Sequence, residues 1–200
     1  MKVLLTGFQP FGGETVNPSY EAVKLVPDTV AGAEIIKAEL PVVFGAVIEE
    51  IEKLIESCNP DIILCAGQAG GRASMSVERV GINCDDSDIP DNAGFKHDGA
   101  PIAKDGPAAY FSDLPVKAMV ANMKKHGVPA EISNTAGTYV CNHLLYGCLH
   151  LLAAKHPGRR AGFIHVPYTP EQVLEKRNVA SMPLELIAKG LEAAVEAAVT

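Results

Sequence analysis

The chain has 200 residues, of which 48% are hydrophobic and 20% charged, enough to bury a sizeable core and unlike a disordered segment. The formal net charge is -7, and the lysines and arginines are scattered apart from a short cluster at Lys155 to Arg160, which argues against a nucleic-acid partner. No apolar run approaches the roughly 20 residues of a membrane span, and the brief apolar opening Met1 to Thr6 is too short for a signal peptide.

In chain order, Lys2 to Thr6 reads as a first strand entering the loop Gly7-Phe8-Gln9-Pro10. Pro18 to Leu25 reads as a short helix, with Asn17 as N-cap and Pro18 at the first helical position. Glu34 to Leu40 is strand-like. Phe44 to Ser57 carries Val47, Ile48, Ile51, Leu54 and Ile55 at helical spacing. Asp61 to Ala66 is a nearly continuous apolar run ending at Gly67, as in a strand buried on both faces. Met75 to Cys84 alternates like a single strand. Asp85 to Pro107, rich in Asp, Gly and Pro, reads as a long loop, a kind of segment that usually carries function. A helix over Val116 to His126, a strand over Ala130 to Ser133, a helix opening at Cys141, a strand over Ala161 to Val166 and a C-terminal helix from about Pro183 complete the pattern. This alternation predicts a single three-layer α/β/α domain over residues 1–200, with a mostly parallel, twisted central sheet. Functional groups then belong outside the carboxyl ends of the strands.

Several motifs fail on inspection. Gly7 and Gly12 have P-loop spacing, but Gly13 and Glu14 stand where Lys and Ser/Thr are required. Gly67-Gln68-Ala69-Gly70-Gly71-Arg72 does not fit a dinucleotide fingerprint and reads as a tight turn near a ligand. There is no G-x-S-x-G elbow. Asp85, Asp86, Asp88 and Asp91 break calcium-loop spacing at Pro90 and read as a solvated acidic loop. The five cysteines have irregular spacing and no C-x-x-C pair, so neither a disulfide framework nor a zinc site is expected, and reduced thiols in the cytosol are. His143, His150 and His156 read as surface or packing histidines.

Cys141 is the strongest candidate for chemistry. It sits where the turn-rich stretch Ser133 to Gly137 gives way to an apolar helical segment. Unpaired N–H groups and the helix dipole at such a start favour thiolate over thiol. A cysteine nucleophile needs a base, and the base an orienting group. His165 ends the apolar strand Gly162 to Val166, and Glu78 places a carboxylate inside a strand, where it must be paired with an arginine such as Arg72 or Arg79 or be poised for chemistry.

These segments together resemble the pyroglutamyl peptidases (pyrrolidone-carboxylate peptidases), a family of cysteine peptidases. The resemblance rests on Gly7 to Gly13 with Asn17-Pro18-Ser19, on Gly67 to Arg72 with Glu78-Arg79-Val80, on Ser133 to Asn142 and on Phe163 to Pro167. It implies Cys141 as nucleophile, His165 as base and then acid, and Glu78 as the acid that orients His165. It also implies Phe8, Phe11, Gln68, Ile89, Tyr139 and Val140 as the substrate pocket, peptides with an N-terminal pyroglutamyl residue as substrates, no cofactor and a homotetramer. A neutral lactam calls for an apolar pocket without a carboxylate. Many family members carry Arg where Asp88 stands, so the charge balance near the site differs here. A hydrolase of the same fold acting on another acyl group, and a non-catalytic binding module, are the competing readings.

Overall fold

The computed structural model describes residues 1–200. The elements are β1 (Lys2–Phe8), α1 (Pro18–Leu25), β2 (Thr29–Val30), β3 (Ala33–Leu40), α2 (Ala46–Cys58), β4 (Ile62–Gln68), β5 (Met75–Glu78), β6 (Val80–Ile82), β7 (Ala109–Phe111), α3 (Val116–Lys125), β8 (Ala130–Ser133), α4 (Val140–Lys155), β9 (Arg160–Val166) and α5 (Leu184–Val199), with a 3-10 turn at Pro170–Val173. Seven strands form one sheet in the order β2-β3-β1-β4-β9-β5-β8. The pairs β3–β1, β1–β4, β4–β9 and β5–β8 are parallel, while β2 and β5 run antiparallel to β3 and β9.

Strand alternation assigns the layers. In β1, Val3 and Leu5 join one core and Leu4 and Phe8 the other. In β4 the split is Ile62, Leu64 and Ala66 against Ile63 and Cys65, and in β9 Ile164 and Val166 against Ala161 and Phe163. The first core is closed by α1, α3 and α5, the second by α2 and α4. A strand buried on both faces has no polar side to show, which is why β1, β4 and β9 read as continuous apolar runs. The predicted α/β/α architecture and mostly parallel sheet are what the chain adopts. No helix is long and apolar enough to cross a membrane.

Local chemistry fixes the elements near the sheet's carboxyl edge. Asn17 caps α1 by accepting from the Ser19 N–H at 3.1 Å, and Pro18 opens the helix. Gly7 lets α1 lie directly on β1, since a Cβ there would stand 2.4 Å from the Tyr20 backbone.

The segment Met75 to Cys84 is not one strand. It divides at Arg79, with β5 in the large sheet and β6 paired antiparallel to β7 in a separate ribbon. The apolar alternation continues across the break, but the partners change. Arg79 N–H still bonds Ser133 O at 2.9 Å, while its carbonyl accepts from Ser112 N–H at 2.9 Å.

Candidate active site

Glu78, His165 and Gly67 come together on the α2/α4 face of the sheet. Glu78 lies opposite Phe163 across the β5–β9 pair, so it is the diagonal neighbour of His165, two residues further on. Its carboxylate Oε1 accepts from His165 Nδ1 at 2.7 Å and from an Arg72 guanidinium nitrogen at 2.8 Å. Both residues are buried, Glu78 completely. Pairing of Glu78 with Arg72 and pairing with His165 are therefore not alternatives; the same oxygen takes both.

Because an ionised carboxylate only accepts, His165 carries its proton on Nδ1 and leaves Nε2 as an acceptor. Burial pushes the Glu78 carboxyl up, but hydrogen bonding and charge from His165, with Arg72 adding to them, outweigh it and hold the pKa below the usual carboxylate value. Burial lowers the His165 pKa, and it stays below 6.5 although Glu78 raises it; Arg72 pushes the same way as burial. At neutral pH the pair is a carboxylate and a neutral imidazole.

Cys141 stands in the first turn of α4, above the sheet. A Cβ on Gly67 would stand 2.9 Å from Cys141 Sγ and 2.7 Å from the Phe163 ring, so the absent side chain makes room for the sulfur. Gly67 in turn pairs with His165 across the β4–β9 ladder. That places the thiol over the rung that carries the imidazole, although no hydrogen bond joins the two side chains. The Cys141 backbone N–H has no backbone acceptor, as its place in the first turn requires.

The thiolate expected from the helix start is not the resting form. Desolvation pushes the Cys141 thiol up to about 12, with the Glu78 carboxylate adding to it and Arg72 opposing. Burial and a neighbouring negative charge override the dipole, so the sulfur rests as a thiol.

Beside the sulfur lies a cavity of about 30 Å³, lined by Phe8, Phe11, Asn17, Val42, Gln68, Tyr139, Val140 and Cys141. Phe11 and Tyr139, with ring centroids 6.2 Å apart, form one wall of it. No lining residue is charged. Five of the six expected pocket residues meet here. The exception is Ile89, which is 47% exposed on the loop and outside the cavity. Asn17 and Val42 are additions. The sequence marks Asn17 as a helix cap and as part of a family motif but not as a pocket residue, and Val42 follows β3 without any polar or periodic signal.

The loop after β6 is not a solvated acidic segment. Asp85 and Asp91 are buried. Asp91 accepts from the Phe44, Ala93 and Phe95 N–H groups at 3.0, 2.9 and 2.9 Å. Asp85 bonds His143 Nδ1 at 2.7 Å, and His143 Nε2 accepts from Gly45 N–H at 3.1 Å. His143 is thus a buried, doubly bonded joint between the loop, α2 and α4. Phe44 packs edge-on against Tyr139 and His143, and the Tyr139 hydroxyl donates to Pro90 O at 3.0 Å. These contacts fasten the cavity wall to the loop. Asp88 is exposed; its backbone carbonyl accepts from Lys96 Nζ, and its carboxylate makes no bond to Cys141, His165 or Arg72.

A thiol, an imidazole and a buried carboxylate grouped at the edge of an α/β sheet are the set of groups a cysteine hydrolase uses. Comparison with known proteins agrees in class and narrows it. A family model described as pyroglutamyl peptidase matches residues 1–200. The pyrrolidone-carboxylate peptidase of Thermosipho melanesiensis is 57% identical over 98% of this chain and 97% of its own length, and that of Clostridium perfringens 54% over 100% and 93%. Among solved structures, pyroglutamyl peptidase I of Bacillus amyloliquefaciens superposes with a TM-score of 0.96 at 48% identity, covering 98% of this chain and 96% of that one. The chain belongs to the pyroglutamyl peptidase family.

Proposed function

We propose that this protein removes N-terminal pyroglutamyl residues from peptides, with Cys141 as nucleophile, His165 as general base and then acid, and Glu78 as the group that orients His165. The observation that carries the reading is the uncharged, aromatic cavity beside Cys141, with the Glu78–His165 pair on the adjoining rung. A cavity without a carboxylate suits a lactam, which is neutral and has no free ammonium.

The resting thiol shapes the chemistry. As Cys141 Sγ attacks the pyroglutamyl carbonyl carbon, its proton passes to His165 Nε2, which is unprotonated at neutral pH. The imidazolium formed is stabilised by the Glu78 carboxylate at 2.7 Å. The carbonyl oxygen becomes an oxyanion, and the Cys141 N–H, which has no backbone acceptor in the first turn of α4, is the donor we assign to it; one such donor is typically worth about 2.7–4 kcal/mol of barrier. His165 then gives its proton to the departing amine, leaving a thioester on Cys141. Water adds to the thioester with His165 again taking a proton, and free pyroglutamate leaves. The family resemblance also implies a homotetramer in a reducing, cytosolic setting, consistent with five free cysteines.

The test is hydrolysis of pyroglutamyl aminomethylcoumarin beside the prolyl and glutaminyl analogues. Selective release from the pyroglutamyl compound is expected. Equal or greater release from another acyl group would replace this reading with that of a hydrolase of different specificity, and no release from any would remove the catalytic reading.

A further inference from the structure

We infer that Arg72 is a positioning residue for catalysis: its guanidinium fixes the plane of the Glu78 carboxylate that holds His165, and ties that carboxylate to the loop that presents Cys141. The inference rests on the function proposed above. Residues Ala69 to Arg72 form a turn after β4, closed by the Arg72 N–H on the Ala69 carbonyl at 3.4 Å. Gly71 has φ +88°, the left-handed conformation that the third position of such a turn requires. Gly70 lies against the Tyr168 ring, where any side chain would collide with it. The two glycines thus turn the chain back at the carboxyl end of β4 and bring Arg72 to the carboxylate six residues further on.

The guanidinium makes two bonds to different parts of the chain. One nitrogen donates to Glu78 Oε1 at 2.8 Å and another to Thr135 O at 3.3 Å, a carbonyl that also accepts from Ser133 Oγ at 2.9 Å. Thr135 lies in the loop between β8 and α4, the segment that leads into Cys141. Glu78 Oε1 also accepts from His165 Nδ1 at 2.7 Å, while Oε2 is buried without a partner. A carboxylate oxygen has two lone pairs near the carboxylate plane, so two donors on one oxygen leave that plane no freedom to turn. Without Arg72, two equivalent oxygens share a single donor, and the terminal torsion of Glu78 is broad. Arg72 also holds charge in place. On the proposed mechanism the imidazolium Nδ1 proton faces a buried carboxylate, and a cation on the same oxygen keeps that proton on the ring. The guanidinium is charged at every working pH. The other ionisable groups around the pair are Cys141 on α4, Cys65 on β4 in the same core, and Glu131 on β8, which accepts at 3.4 Å from Ser76, the residue opposite His165. None of these is a cation. Arg72 does not line the substrate cavity, so it acts through Glu78 rather than on the substrate.

The experiment uses Arg72→Met, Arg72→Lys and the double variant Arg72→Met with Glu78→Gln, read by kcat and KM for pyroglutamyl aminomethylcoumarin across pH. Thermal melts check folding, and Arg72→Lys, which keeps the charge but not the planar fork, carries the test where Arg72→Met is unstable. In Arg72→Met, kcat should fall about thirtyfold, the scale of one lost hydrogen bond to a charged group, with KM within about threefold of wild type. Its acid limb should move to higher pH, because Arg72 lowers the His165 pKa in wild type. Arg72→Lys should lose about tenfold in kcat and leave the acid limb nearer its wild-type position. Because Arg72 acts through Glu78, the double variant should stay within about threefold of Glu78→Gln alone. A kcat within about threefold of wild type in the single variants, a loss confined to KM, an acid limb unmoved in Arg72→Met, or two losses that multiply in the double variant would each overturn the inference and leave the peptidase reading intact. A wild type that does not hydrolyse the pyroglutamyl substrate overturns both.

Discussion

Replacing Glu78 with Gln probes how the buried pair works. The change keeps shape and removes charge. Glu78 Oε1 receives both His165 and Arg72, while Oε2 is buried with no partner. A glutamine therefore fits with its oxygen toward the two donors and its NH2 in the position of Oε2. On the proposed mechanism, the imidazolium that forms on His165 during attack faces the Glu78 carboxylate in wild type. At an effective dielectric of about 20, unit charges about 4 Å apart attract by about 4 kcal/mol, and a charge-assisted hydrogen bond is worth about 1.5–3 kcal/mol net. Neutralising the partner should raise the barrier by about 3 kcal/mol, or on the order of a hundredfold in kcat/KM. The pH profile supplies a readout that a packing defect would not move. Glu78 raises the His165 pKa and Arg72 lowers it, so losing the carboxylate lowers it further. The acid limb of kcat/KM should move to lower pH in the Glu78→Gln variant than in wild type. Steady-state kinetics across pH, with thermal melts alongside, would falsify the reasoning if kcat/KM stayed within threefold or if the acid limb rose.

Four further outcomes follow from the same geometry. Gly67→Ala puts a methyl 2.9 Å from Cys141 Sγ; kcat should fall at least about tenfold, with about 1–3 kcal/mol lost in stability by overpacking, and a fully active variant in the coumarin assay would contradict the placement of the sulfur. Asp91→Ala strips three backbone N–H groups of their acceptor; a loss of about 2–3 kcal/mol, read as roughly 4–12 °C in melting temperature, is expected, and an unchanged melt would deny the loop its role. Because the Glu78 pKa is depressed on folding, its stabilisation is full above the unfolded carboxylate value of about 4.3 and is lost as pH falls through the folded value; acid denaturation should be shallower in the Glu78→Gln variant, and identical curves would contradict the shift. With the thiol resting protonated, iodoacetamide should label Cys141 slowly near neutral pH while a pyroglutamyl chloromethyl ketone labels it quickly; fast labelling by both would point to a preformed thiolate.

Much of this architecture is visible in the residues. Helix α1 and strand β8 have the expected limits because a cap, a proline and a short apolar run mark them locally. The double-sided burial of β4 was legible because nothing polar interrupts it. What escapes sequence reading depends on partners far along the chain. The break at Arg79 is invisible because alternation continues while β5 pairs with β9 and β6 with β7. Asp85 and Asp91 looked solvated because composition says nothing of His143, 58 residues from Asp85, or of the Phe44 N–H. The ionisation of Cys141 depends on distant partners in the same way: the helix start is a local signal, whereas the desolvation that opposes it comes from the assembled core.

The central claim is that Cys141 forms a thioester with the pyroglutamyl group. Acid quench during turnover of pyroglutamyl aminomethylcoumarin, followed by mass-spectrometric peptide mapping, tests it directly. The account predicts one pyroglutamyl adduct on the peptide that contains Cys141, absent together with activity in the Cys141→Ser variant. Turnover that survives in that variant, or an adduct on any other residue, would contradict it.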